Sequence, residues 1–145
     1  MKCLRIYATP DGESHFDEID IPTDKRPVSP EIAPFELSAH YPASRIRFAR
    51  IPAAMREVGY HTVPERVLTV RLDGSVEYET SDGEVRHVQA GSFVLVEDTR
   101  GKGHMRRGTE RYLDCAAKRP RSAIRVMGRE RGSAVPEDLQ NRPLR

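Results

Sequence analysis

Hydrophobic and polar residues alternate in short runs separated by turn formers along most of this chain, a period-two pattern that predicts β-strands. Cys3-Leu4-Arg5-Ile6-Tyr7 is a first run, closed by Pro10-Asp11-Gly12, and His15 to Ile21 reads as a second strand at a sheet edge. Five prolines between Pro22 and Pro42 can neither feed a ladder regularly nor sustain a helix, so this segment is expected to wrap the surface as an extended connection. Arg45 to Ile51 alternates strictly, with Ile46 and Phe48 on one face and Arg45, Arg47 and Ala49 on the other. Pro52 to Gly59 suits either one helical turn through Ala53-Ala54-Met55-Arg56 or a loop.

The central stretch, Tyr60 to His104, begins with a predicted strand over His61–Leu72 that would place His61, Val63, Glu65, Val67, Thr69 and Arg71 on one side. Pro64 marks a break or bulge within it. Asp73-Gly74 supplies a tight hairpin, and Ser75 to Thr80 returns antiparallel. After a second turn at Ser81-Asp82-Gly83-Glu84 and the run Val85 to Val88, Phe93-Val94-Leu95-Val96 is apolar throughout, as expected of a strand covered on both faces. A last strand is predicted through Tyr112 to Ala116. Short strands at this spacing predict an all-β sandwich or barrel.

With 145 residues the chain is long enough for one domain with its own core. Residues 1–44 read as N-terminal strands and proline-rich wrap, 45–117 as the barrel, and 118–145 as an irregular tail. Cys3 and Cys115 lack metal-type spacing and are too few for a disulfide framework; with no signal-like or membrane-length apolar run, a cytoplasmic protein is expected. From Arg100 onward 13 Lys and Arg stand against 5 Asp and Glu, whereas the first 99 residues carry 11 against 17. No nucleic-acid motif accompanies this basic end, so nucleic acid is not an expected partner.

His61 at the start of its strand, Asp73-Gly74, Gly91 before the apolar strand, and Gly101-Lys102-Gly103-His104 together resemble the cupin superfamily, in particular small single-domain bacterial cupins. Gly12-Glu13-Ser14-His15-Phe16 belongs to the same resemblance. It implies a jelly-roll barrel, the cupin-type double-stranded β-helix, with N-terminal extension strands that could exchange or pair across an expected homodimer. Metal-binding cupins bring histidines and a carboxylate or glutamine into one lumen, because alternate residues of a strand face the same way. Counting back from Gly74 puts these positions at His61, Val63 and Val67, with His104 as the last; valine binds no metal.

Three readings of the histidine pair follow. A divalent zinc, iron, manganese or nickel ion could use His61 and His104 with help from Glu65, Glu97 or Asp98. The histidines could instead act without metal as acid, base or donor to an anion. They could also be structural only. Glu97 is a candidate for proton transfer, and Glu97 or Asp98 for orienting His104. Val63, Val67, Arg71 and Tyr78 are candidate ligand-binding residues, although an arginine beside a hairpin turn is commonly solvated. The expected function is proton-transfer chemistry of the isomerase, cyclase, dehydratase or lyase type on a small, anionic metabolite. The alternatives are a non-catalytic ligand-binding or sensory cupin, and an interaction protein using its basic tail.

Overall fold

The structure, a computed structural model, describes residues 1–27, 29–52, 57–108 and 111–118. The predicted turn at Ala53–Arg56 and the tail beyond Lys118 lie outside them. The described residues form twelve strands and no helix: β1 (Lys2–Ala8), β2 (Ser14–Asp20), β3 (Thr23–Arg26), β4 (Phe35–Ser38), β5 (Arg45–Ile51), β6 (Glu57–His61), β7 (Val67–Asp73), β8 (Ser75–Thr80), β9 (Val85–Gln89), β10 (Phe93–Val96), β11 (His104–Gly108) and β12 (Tyr112–Lys118). No helix among the described residues is long and apolar enough to cross a membrane.

Two sheets face each other, one in the order β2-β1-β10-β7-β12-β5 and the other β6-β11-β8-β9. This is the all-β, two-sheet architecture that the spacing of strands and turns predicts. Ile6, Phe16, Val94, Val96 and Tyr112 of the larger sheet meet Val76, Tyr78 and Val88 of the smaller one in a single core. The intervening position of β10, Leu95, packs on the opposite face with Cys3, Ile19 and Ile21. Both faces of β10 are thus covered, as its unbroken apolar run requires. The N-terminal strand completes the barrel within the chain: β1 runs parallel to β10 and antiparallel to β2.

Two expectations are corrected. The proline-rich segment contains a hairpin, β3 with β4, because Thr23–Arg26 and Phe35–Ser38 lie between its prolines and leave their ladder donors intact. The single strand predicted over His61–Leu72 is two strands in different sheets, since the chain crosses between sheets at the Pro64 break. β12 also runs to Lys118, two residues beyond the predicted Ala116.

Candidate functional site

His61 ends β6 and His104 begins β11, and the antiparallel ladder sets them directly opposite each other. Their rings lie 4.7 Å apart between centroids. The loop before His104 makes this possible. Gly101 and Gly103 both hold positive φ, +83° and +76°, and a Cβ on Gly103 would stand 2.2 Å from the His61 carbonyl oxygen. Only glycine lets the two backbones approach so closely.

Each imidazole is oriented through Nδ1. His61 Nδ1 donates to the Gly59 carbonyl at 2.7 Å, and His104 Nδ1 donates to Asp98 Oδ2 at 2.7 Å. Since a carbonyl and a carboxylate can only accept, Nδ1 carries the hydrogen in both rings and Nε2 is the atom left for a ligand. Asp98 is wholly buried and His104 nearly so. A buried carboxylate behind an imidazole fixes its tautomer and ring orientation. The edge of Tyr78 meets the His104 ring at 5.6 Å. Burial pushes the Tyr78 phenol up to about 12, so at neutral pH it is a hydrogen-bonding group and not a base.

These groups border a cavity of about 540 Å³ between the sheets, a size suited to a small organic molecule. Val63, Val67, Val96, Ala49 and Ile51 form its apolar side. Its charged lining comprises Arg45, Arg47, Arg106 and Lys118 against Glu65 and Asp114. Glu65 is shared by Arg45 at 3.3 Å and Lys118 at 3.6 Å. Burial raises the Asp114 carboxyl, against the opposing pull of Arg71 and Arg106.

Among the sequence candidates, His61, Val63, Val67, Tyr78 and His104 come together around this cavity. Glu97 does not line it. The β10 alternation continues past Val96, so Glu97 turns to the other face, where it pairs with Arg66 at 3.3 Å and Arg5 at 3.8 Å. Asp98, one residue on, is the carboxylate that reaches His104. Arg71 is not solvated as its place near the hairpin suggests. It is buried, paired with Asp114 at 2.9 Å, and its guanidinium lies 3.9 Å over the Tyr112 ring. Arg106 and Asp114 were not legible as site residues, although Arg106 follows His104 by two along β11 and so shares its face.

The donor set does not fit a divalent metal. Val63 and Val67 occupy the wall where further ligands would stand, Glu65 is committed to two cations, and the described residues hold no group of three or more His, Cys, Asp or Glu around one point.

No protein-family model matches the chain, and no curated protein matches it. Among solved structures, similar ones include a protein from Neisseria meningitidis, 15% identical over 50% of this chain and 71% of that one, with a TM-score of 0.39. A conserved protein of unknown function from Streptococcus pyogenes is 18% identical over 57% and 70%, with a TM-score of 0.38. A putative ethanolamine utilization protein Q from Salmonella typhimurium is 8% identical over 83% and 96%, with a TM-score of 0.36. At these identities and scores none of the three carries an argument about function.

Proposed function

We propose that the barrel binds a small organic anion in its cavity and that His104, held by Asp98 and facing His61, transfers a proton on it, as in an isomerase, cyclase, dehydratase or lyase. The observation carrying this reading is the buried Asp98–His104 pair opposite His61 at the wall of a cavity with more cations than carboxylates. Each ring commits Nδ1 to its acceptor, so both Nε2 atoms are open to the ligand. One histidine then serves as base through Nε2 while Nε2 of the other accepts a hydrogen bond from the ligand. The described residues do not supply the ligands of a metal, and the proton transfer rests on the histidines.

The test is deuterium exchange. Full-length protein in D₂O is titrated with a panel of two- to six-carbon carboxylates, alcohols and sugars while the His61 and His104 imidazole resonances are followed. Compounds that shift them are analysed for C–D bonds. Incorporation is expected with the wild type, and a loss of at least about 100-fold in rate with His104→Gln and Asp98→Asn. Binding without incorporation would make this a non-catalytic ligand-binding protein, and no shift by any compound removes the cavity as a binding site.

A further inference from the structure

The cavity holds a second polar group that the histidine pair does not use. Asp114 of β12 and Arg71 of β7 are buried, and Asp114 Oδ1 lies 2.9 Å from Arg71 Nη1. The contact is ionic without being a directed hydrogen bond, for neither atom, nor Arg71 Nε, has a partner at hydrogen-bonding angles. Buried polar atoms in this state call for a partner. Of the two residues Asp114 borders the cavity, so its carboxylate stands at the wall while Oδ1 faces Arg71 behind it.

Arg106 reaches the same region from the opposite sheet. Its guanidinium carbon is 5.8 Å from the centroid of the Tyr112 ring, over which Arg71 lies at 3.9 Å. Arg106 is also close enough to act electrostatically on Asp114. Arg45 and Lys118 already share Glu65, which makes Arg106 the better anchor for a ligand's negative charge. A cation and a carboxylate therefore border the cavity beside one aromatic ring.

Resting on the cavity-binding reading above, we infer that the ligand is a short-chain hydroxycarboxylate. Its carboxylate lies on Arg106, its hydroxyl donates to the Asp114 carboxylate, and its alkyl part packs on Val63, Val67 and Val96. A neutral hydroxyl fits Asp114 better than an ammonium does. One carboxylate already answers two guanidinium groups there, and a third positive charge would be repelled. The apolar wall disfavours a polyhydroxylated chain, whose further hydroxyls would lose water without gaining partners.

The test titrates full-length protein with 3-hydroxybutyrate, butyrate, 1,3-butanediol and 3-aminobutyrate, reading the His61 and His104 imidazole resonances by NMR. The hydroxy acid should bind at least tenfold more tightly than each of the other three. Arg106→Gln should erase its advantage over the diol. Asp114→Asn alone would strand a buried Arg71, so the paired change Arg71→Met with Asp114→Leu removes the acceptor and leaves no buried charge. In that variant, hydroxybutyrate and butyrate should bind within twofold of each other. Equal binding of hydroxybutyrate with butyrate, the diol or the amino acid in the wild type would overturn the inference, as would Arg106→Gln leaving its affinity within twofold. If none of the four binds while another panel compound shifts the histidines, the ligand class is wrong and the cavity reading stands. If no compound shifts them, both fall.

Discussion

At Gly103 a φ of +76° brings the backbone of the loop against the carbonyl of His61, and the next residue is His104. Gly101 makes a similar approach two residues earlier, where a Cβ would stand 2.3 Å from the Gly12 carbonyl oxygen. Gly103 therefore sets how closely the loop before His104 approaches the His61 backbone, and Gly101 how closely it approaches Gly12. Gly103→Ala should cost at least about 2 kcal/mol, from a strained left-handed residue and a backbone collision that no rotamer can relieve. Urea unfolding measures the cost. A loss under about 0.5 kcal/mol would mean that the loop moves away without consequence. The two valines were legible as residues that cannot bind metal. Glu97 and Asp98 were not separable, because two adjacent carboxylates after an apolar run differ only in which face each takes.

Among the elements, the seam between the β1–β2 hairpin and the β8–β9 turn is built from polar contacts. Ser14 Oγ donates to the Gly103 carbonyl at 2.6 Å, the Ser14 amide donates to Ser81 Oγ at 2.7 Å, and Ser81 Oγ donates to Glu13 Oε2 at 2.6 Å. Lys102 closes on Glu13, and His15 on Asp82 at 2.7 Å. Burial pushes the Asp82 carboxyl up, but hydrogen bonds from the Thr80 hydroxyl, the Glu84 amide and His15 prevail and hold it below its ordinary 3.8. Lys102 and then Ser81 lower Glu13 below its ordinary 4.5. A carboxyl lowered in the folded state contributes stability that is present above its unfolded pKa and lost as pH falls through the folded one. Below about pH 4 this seam should loosen before the core strands. Amide exchange, corrected for intrinsic rates, should show Ser14 and Ser81 losing protection ahead of Val94 and Leu95. Simultaneous loss would mean that the seam has no separate stability. The run Gly12 to Phe16 was visible in the sequence, but that it locks to Ser81 and Gly103 depends on contacts spanning 67 and 89 positions.

For the whole molecule, the exposed flank of β5 is the feature that the alternation alone leaves open. Arg45, Ile46, Arg47, Ala49 and Ile51 border the cavity, while Phe48 turns away from it and is 70% exposed, with Ile46 at the cavity's rim 64% exposed. β5 is also the last strand of its sheet, bonded to β12 alone. An open antiparallel edge with an apolar flank is complementary to itself about a two-fold axis. We propose that a homodimer forms here and not through the N-terminal strands. Sedimentation should give a dimer for the wild type and a monomer for Phe48→Asp, whose fold should change in stability by less than about 0.5 kcal/mol. A monomeric wild type or a dimeric Phe48→Asp would remove this interface.

The sequence by itself determined the all-β class, the turns at Asp73-Gly74 and Ser81 to Glu84, the twice-covered strand Phe93–Val96 and the two histidines, because alternation and glycine or aspartate at turns are properties of neighbouring residues. Tertiary structure alone decided that His61 and Val67 belong to different sheets, that Asp98 stands behind His104, that Arg71 is buried against Asp114, and that Arg106 faces the cavity beside them. Each of these depends on which strands pair and in what register, and pairing is fixed by the burial of a core drawn from both sheets. The pattern along any one strand gives the alternation of its faces and leaves open which face the rest of the barrel will cover.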